Sequence, residues 1–145
     1  MIRVAKMYHP PSGGELRGKH VPSMLILGPL GPMQKELIPA LFRIAGDHEI
    51  RHVDITHSPD ALDPERLKGY ALVFVAFEVY RDNVPFFRLL PDSILSRITV
   101  LAGIPDFPAV DPEIRCACYS PALKALVPRE EAQILDPGHS PEEDR

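Results

Sequence analysis

The 145-residue chain lacks the features that would place it in a membrane, outside the cell or on nucleic acid. Its longest apolar run, Ala71 to Phe77, is far shorter than the ~20 residues of a membrane-spanning helix. Two cysteines, Cys116 and Cys118, give no disulfide framework, and Met1 to Lys6 contains no apolar segment typical of a secretion signal. The net charge of −4 gives no general attraction to nucleic acid or anionic lipid. We therefore expect a cytoplasmic protein with no membrane span, and the composition argues against a nucleic-acid partner.

Proline is abundant where other features are scarce. Seventeen residues are proline, more than twice the usual share of ~5%. They lie mostly outside the apolar runs, which predicts stiff connections and extended tails. Residues 1–22 form a Pro/Gly-rich extension that is locally basic through Arg17 and Lys19, and residues 128–145 form an acidic tail. Residues 23–127 lie between them and contain the apolar runs of a folded domain.

Within residues 23–127, apolar strand patterns alternate with helical ones. Met33, Leu37, Leu41 and Ile44 recur at helical spacing after the first strand. Shorter helical segments are predicted within residues 59–69 and 84–96, and a final helix from Pro121 to Val127. The predicted strands are Ser23–Leu27, Glu49–Thr56, Ala71–Phe77, Ile98–Ala102 and Ile114–Tyr119.

This alternation of strand and helix implies right-handed crossovers and a parallel sheet. The first, third and fourth strands are solid apolar runs, as strands covered on both faces must be. The second and fifth strands are mixed, which is typical of edges. The sequence therefore predicts an α/β fold: a three-layer open parallel sheet of flavodoxin-like order 2-1-3-4-5, with extended N- and C-terminal tails.

In such a sheet, ligands bind beyond the carboxyl ends of the strands, near the switch between the first and third. Polar residues and glycines that follow the strands are therefore the candidate ligand-binding positions. No catalytic residue, metal ligand or cofactor is predicted. The candidate residues are Gly28, Gly31, Glu78, Asp82, Asp106 and Ser120.

Two of these groups have competing interpretations. The Gly28–Gly31 turn precedes a helix, whose N-terminus could hold an anion. However, Pro29 and Pro32 each remove an N–H donor, and the spacing matches neither a Rossmann fingerprint nor a P-loop, so a plain tight turn is the favoured interpretation. Glu78 and Asp82 could form an acid–base or metal cluster, or belong to a solvated loop with a local ion pair.

Histidines and cysteines invite a metal interpretation that the spacing does not favour. His52 and Asp54 alternate along one strand and share a face, whereas His48 and His57 flank that strand. No spacing matches a known zinc pattern, so surface histidines at a sheet edge are the favoured interpretation. Cys116 and Cys118 are interpreted as small core residues.

The span from about Ser23 to Val127 resembles a response-regulator receiver domain. Tyr70–Ala76 is similar to the central strand that delivers the phosphorylated aspartate in that family. Tyr119–Pro121 resembles the aromatic-x-lysine-proline segment near its fifth strand. Further similar segments are Met24–Leu27, Asp47–Ile50 and Ser58–Leu62.

The chain departs from the receiver pattern at its reactive positions. Gly28 and Pro29 replace the acidic pair that holds Mg²⁺, and Phe77 replaces the phosphorylated aspartate. Ala102 replaces the Ser or Thr after the fourth strand, and Ser120 replaces the lysine. The resemblance therefore implies a pseudo-receiver without phosphoacceptor chemistry. It implies a non-catalytic interaction or assembly subunit whose partner is another protein or a larger assembly, contacted by the tails or a sheet edge.

A second resemblance is confined to the N-terminal extension. Tyr8-His-Pro-Pro-Ser-Gly-Gly14 is similar to the loop that opens the N-terminal half of two-domain glycosyltransferases. The chain is too short for the second domain, which carries the nucleotide-sugar site in those enzymes. Independently of this motif, the Gly28–Gly31 turn before a helix gives the alternative function: a small enzyme or sensor that binds an anionic ligand, a nucleotide or sugar phosphate, at that turn.

Overall fold

A computed structural model describes residues 22–31 and 34–135. The strands are β1 (Ser23–Leu27), β2 (His52–Thr56), β3 (Leu72–Ala76), β4 (Ile98–Leu101), β5 (Arg115–Ser120) and β6 (Ala125–Pro128). The helices are α1 (Gln34–Asp47), α2 (Pro64–Leu67), α3 (Phe77–Asp82), α4 (Val84–Arg88), α5 (Asp92–Leu95) and α6 (Arg129–Leu135). Short 3₁₀ segments cover Pro59–Ala61 and Ile104–Ala109. Among these described helices, none has the length and apolar character needed to cross a membrane.

The strands form one sheet in the order β2-β1-β3-β4-β5-β6. The first five are parallel, which confirms the predicted α/β class and the order 2-1-3-4-5. Strands β3 and β4 are buried along their whole length, and β1 is buried from Met24 onward. Solid apolar strands thus lie in the interior of the sheet, where helices cover both faces.

Successive residues of the strands pack against opposite layers. Met24 and Ile26 of β1 join Leu37 and Leu41 of α1 in one core cluster. Leu25 and Leu27 belong to a second cluster on the other face, which contains Leu67, Tyr80, Phe87, Ile94 and Ala132 from α2 to α6. Because side chains alternate across a strand, one sheet is covered by α1 on one face and by the five shorter helices on the other.

The predicted final helix from Pro121 to Val127 is wrong. A turn is followed by β6, which pairs antiparallel with β5. Leu126 packs in the α1 layer and Val127 in the opposite layer, so the two adjacent apolar residues fit a strand buried on both faces. Lys124 takes a positive φ of 54° in the turn, and Arg43 Nη2 donates to its carbonyl oxygen at 2.8 Å. Strand β5, expected at an edge, is therefore an interior strand.

Several sequence predictions fall on residues outside those described. They include most of the N-terminal extension (residues 1–21) with its Tyr8–Gly14 motif, Pro32 in the first turn, and residues 136–145 of the acidic tail. Residues 128–135, which the sequence assigned to that tail, complete β6 and form α6. Ala132 of α6 is 1% exposed, so this helix belongs to the packed domain.

Candidate functional site

The carboxyl ends of β1, β3, β4 and β5 surround an open cleft of about 440 Å³. Its lining includes Ala76 and Leu101, the last residues of β3 and β4, and Cys118 near the end of β5. Helix α3 begins directly after β3, which brings Phe77 and Glu78 to the rim. The cleft therefore lies at the switch point between β1 and β3, where the strand order predicts a ligand site.

Two smaller cavities extend the cleft along the same end of the sheet. One, of about 180 Å³, lies toward β2; it shares Pro29 and Glu78 with the cleft and is also lined by His57. The other, of about 300 Å³, lies toward β6 and shares Cys118 and Tyr119 with the cleft. We call the three together the carboxyl-edge groove and the 440 Å³ part its central cleft.

All six predicted site residues line the carboxyl-edge groove, but they are spread over its three parts. Gly31, Glu78 and Asp106 line the central cleft. Gly28 and Asp82 line the cavity toward β2, which also reaches Glu78. Ser120 lines the cavity toward β6 and is thereby separated from the carboxylates.

The two glycines have local structural roles. The Gly28 N–H donates to the Thr56 carbonyl oxygen at 2.9 Å, and the Gly28–Pro29 peptide bond is cis. A Cβ on Gly28 would lie 3.1 Å from His57 Nε2, so the imidazole packs directly on the backbone there. Gly31 has a φ of +78°, a left-handed conformation that side chains disfavour. These features match the tight-turn interpretation of the Gly28–Gly31 segment.

Ser120 also has a role in its own turn. Its Oγ accepts the N–H of Leu123 at 3.2 Å, and its carbonyl oxygen accepts the N–H of Lys124 at 2.7 Å. Both bonds hold the reversal between β5 and β6. The hydroxyl therefore stabilises the edge of the groove that faces β6.

The charge along the groove is negative. The acidic residues that line it are Glu78, Asp82 and Asp106, and no lysine or arginine occurs among its described lining residues. Arg81 lies beside the groove, where its Nε is 3.1 Å from Asp82 Oδ1. The guanidinium carbon of Arg81 is 6.0 Å from the centroid of the Phe77 ring. Asp82 is thus partly neutralised, whereas Glu78 and Asp106 have no ion-pair partner among the described residues.

Neither cysteine forms a disulfide bond, and the two lie on the same strand in different surroundings. Cys116 is buried in the core, and this burial raises the pKa of its thiol to about 12. Cys118 is half-buried and lines the groove. The expectation that both are small core residues therefore describes Cys116 better than Cys118.

A polar network that the sequence indicated only in part lies on edge strand β2. His52 Nε2 is 2.8 Å from Asp54 Oδ1, and the Tyr70 hydroxyl donates to Asp54 Oδ2 at 2.6 Å. The hydrogen bond from Tyr70 lowers the pKa of Asp54, while burial raises the pKa of Tyr70. Because alternate residues of a strand share a face, the sequence predicted that His52 and Asp54 are neighbours. Tyr70 lies 16 residues further along the chain, and no sequence pattern indicated its contact with Asp54. Within residues 22–31 and 34–135, no group of three or more His, Cys, Asp or Glu side chains could hold a metal ion.

No family model, curated protein or solved structure matches this chain. The arrangement of its own residues is therefore the basis for a functional proposal. The carboxyl-edge groove is the feature that combines volume, apolar lining and charge in one place.

Proposed function

We propose that this protein is a non-catalytic binding module, a receiver-like domain without phosphoacceptor chemistry that holds a segment of another protein in the carboxyl-edge groove. The observation that supports this proposal is that three cavities lie side by side along one end of the sheet. Neighbouring cavities share lining residues, and together they extend from His57 on the β2 side to Leu123 on the β6 side.

The dimensions of the groove suit an extended peptide. Neighbouring strands are ~4.8 Å apart, so the ends of six strands span about 24 Å. An extended chain rises ~3.3 Å per residue, and about seven residues would therefore fill this length. The lining includes Pro29, Leu30, Leu101 and Tyr119, which offer apolar contacts to alternate side chains of such a segment.

The residues that correspond to the reactive positions of the receiver pattern support binding over catalysis. Phe77 and Ala102 line the central cleft, where the family carries an aspartate and a hydroxyl residue. Apolar side chains there can bury surface against a partner but cannot accept a phosphoryl group. The groove thus keeps the shape of a site and offers contact area in place of reactive groups.

The proposal is tested by blocking the groove at Gly103. This residue lines the central cleft with an extended backbone (φ −82°, ψ 164°), and a Cβ would lie no closer than 3.6 Å to Pro105 Cδ. A Cβ therefore fits at this position, and Gly103→Trp is designed to place an indole in the cleft. We expect peptides selected from a display library by the native full-length chain to bind the variant about tenfold or more weakly in fluorescence polarisation.

Gly46→Trp is the matched control. Gly46 is exposed in α1, away from the groove, and a Cβ there meets no atom within 4 Å. This variant should bind the selected peptides like the native chain. If no peptide is enriched, or if the enriched peptides bind both tryptophan variants equally, the groove is not a peptide site.

A small anionic ligand is the second candidate, and the volume of the central cleft favours it. About 440 Å³ falls within the range of small-molecule sites. Two observations weigh against a nucleotide or sugar phosphate: the Gly28 N–H is already bonded to Thr56, and the charged lining residues Glu78 and Asp106 are acidic. Like charges would oppose a phosphate at this place.

A thermal-shift screen separates the two candidates. A ligand present at ~100 times its Kd stabilises the native state by about 2.7 kcal/mol, which raises the Tm by several degrees. We expect ATP, GTP and glucose 6-phosphate to leave the Tm unchanged because of the two carboxylates. A concentration-dependent rise that disappears in Gly103→Trp would instead identify the cleft as an anion site.

A further inference from the structure

We infer that the central cleft receives an arginine side chain of the bound segment. This inference rests on the proposed function, since it names the partner chemistry of the same groove. Three features of the cleft carry it: two carboxylates without an ion-pair partner among the described residues, aromatic side chains in the same lining, and apolar walls.

The carboxylates set the charge of the partner group. Glu78 and Asp106 come from different elements, the start of α3 and the 3₁₀ segment after β4, and both line the cleft. Neither forms an ion pair with a described residue. A cation that enters the cleft is therefore attracted by both groups, whereas an acidic side chain is repelled by both.

The walls determine the shape of the cation. Leu30, Leu37 and Leu101 line the cleft and can cover the methylene stem of a long basic side chain. The aromatic side chains of Phe77 and Tyr119 also line the cleft, and a planar guanidinium stacks on an aromatic ring better than an ammonium does. Arginine therefore fits the cleft better than lysine.

The test uses three labelled probe peptides and the full-length chain. The peptide Pro-Leu-Arg-Pro-Leu-Arg-Pro has about the length that the groove accommodates, and its counterparts carry lysine or glutamate in place of arginine. In fluorescence polarisation we expect the arginine peptide to bind about tenfold more tightly than the glutamate peptide, with lysine between them. All three should lose affinity in Gly103→Trp.

The double variant Glu78→Gln/Asp106→Asn should bind the arginine peptide about tenfold more weakly and abolish its preference over glutamate. The matched control is Asp92→Asn/Glu113→Gln, which changes the net charge equally at two exposed carboxylates that do not line the groove. This control should bind like the native chain. If both double variants lose affinity for the arginine peptide equally, the effect comes from the net charge of the protein, and the inference is overturned.

The outcomes separate the inference from the proposed function. If library peptides bind the groove, are blocked by Gly103→Trp and show no preference for arginine, the arginine site is wrong and the peptide groove stands. If acetyl-arginine amide binds the native chain and loses affinity in Glu78→Gln/Asp106→Asn while no peptide binds, the cation site stands and the peptide groove is wrong. A third outcome is that the arginine peptide binds only after the basic residues of the N-terminal extension, Arg3, Lys6, Arg17 and Lys19, are replaced by glutamine in the full chain. The occupant of the groove is then this chain's own N-terminal segment, and the claim that the segment comes from another protein is overturned.

Discussion

Replacement of Arg129 by methionine is expected to lower the free energy of unfolding by about 3 kcal/mol, because one guanidinium serves four backbone carbonyls. Arg129 Nη1 donates to the carbonyl oxygens of Phe107 at 3.4 Å and Val110 at 3.0 Å. Its Nη2 donates to those of Asp111 at 3.3 Å and Ile114 at 2.6 Å. These acceptors belong to the connection between β4 and β5. Arg129, the first residue of α6, therefore holds a segment from which β5 and β6 separate it in the chain.

The size of the effect follows from what methionine leaves behind. It keeps much of the apolar stem but removes every donor, so carbonyls in a half-buried site lose their partners. Urea unfolding followed by circular dichroism measures the change. The free energy of unfolding of Arg129→Lys should lie between those of the native chain and Arg129→Met, since a compact ammonium cannot reproduce the planar fork of a guanidinium.

Arg88→Met is the matched control for that experiment. The Arg88 side chain is 68% exposed and pairs with Asp111 of the same connection, with Nε 4.0 Å from Oδ2. An exposed pair of this kind is worth less than about 0.5 kcal/mol, so its loss should hardly move the urea midpoint. Equal changes in the two variants would show that Arg129 does not hold the connection through its hydrogen bonds.

Alkaline pH is expected to destabilise the fold through Cys116. Burial raises the pKa of this thiol from 9.0 to about 12. The stability that its neutral form contributes is fully present below pH 9, the value for the unfolded chain. Between pH 9 and 12 the unfolded chain releases a proton that the folded chain keeps, so stability falls as pH rises. The slope approaches about 1.4 kcal/mol per pH unit, and the loss is on the order of 3 kcal/mol by pH 12.

The contribution of Cys116 is isolated by comparing variants, because lysines and tyrosines also titrate in this range. Cys116→Ala should be less stable than the native chain at pH 8, where it only creates a small cavity. The difference should shrink steadily above pH 9 in urea unfolding, since alanine does not titrate. Val100→Ala removes a buried side chain from the facing residue of β4 and should keep the native pH slope. Parallel curves for the native chain and Cys116→Ala would contradict the assignment.

The sequence predicted the five parallel strands, whose positions follow from packing, and missed β6, whose position follows from a turn. Residues 72–76 and 98–101 are buried on both faces, so their composition alone indicates interior strands. Leu123, Leu126 and Val127 have spacings that suit a helix as well as a strand, and the reversal at Ser120–Lys124 decided between them.

The candidate site was predictable in position but not in form. Strand order placed it at the carboxyl ends, and all six predicted residues line the groove there. The position of the three cavities beside one another depends on how Pro29, Glu78 and Tyr119, which come from distant parts of the chain, meet in space, and no local pattern encodes this. The hydrogen bonds of Arg129 to distant carbonyl oxygens could not be predicted either, because the acceptors are main-chain atoms that every residue has.

The antiparallel pairing of β6 affects how copies of this chain could meet. Strand β6 forms one border of the sheet and ends in Pro128, which has no N–H to offer an incoming strand. Strand β2 forms the opposite border, where His52 and Asp54 place polar groups beside Ile55, which is 48% exposed. Polar edges and terminal prolines are the devices by which sheets resist adding further strands. Both borders are therefore built to keep the sheet from growing into larger aggregates at high concentration.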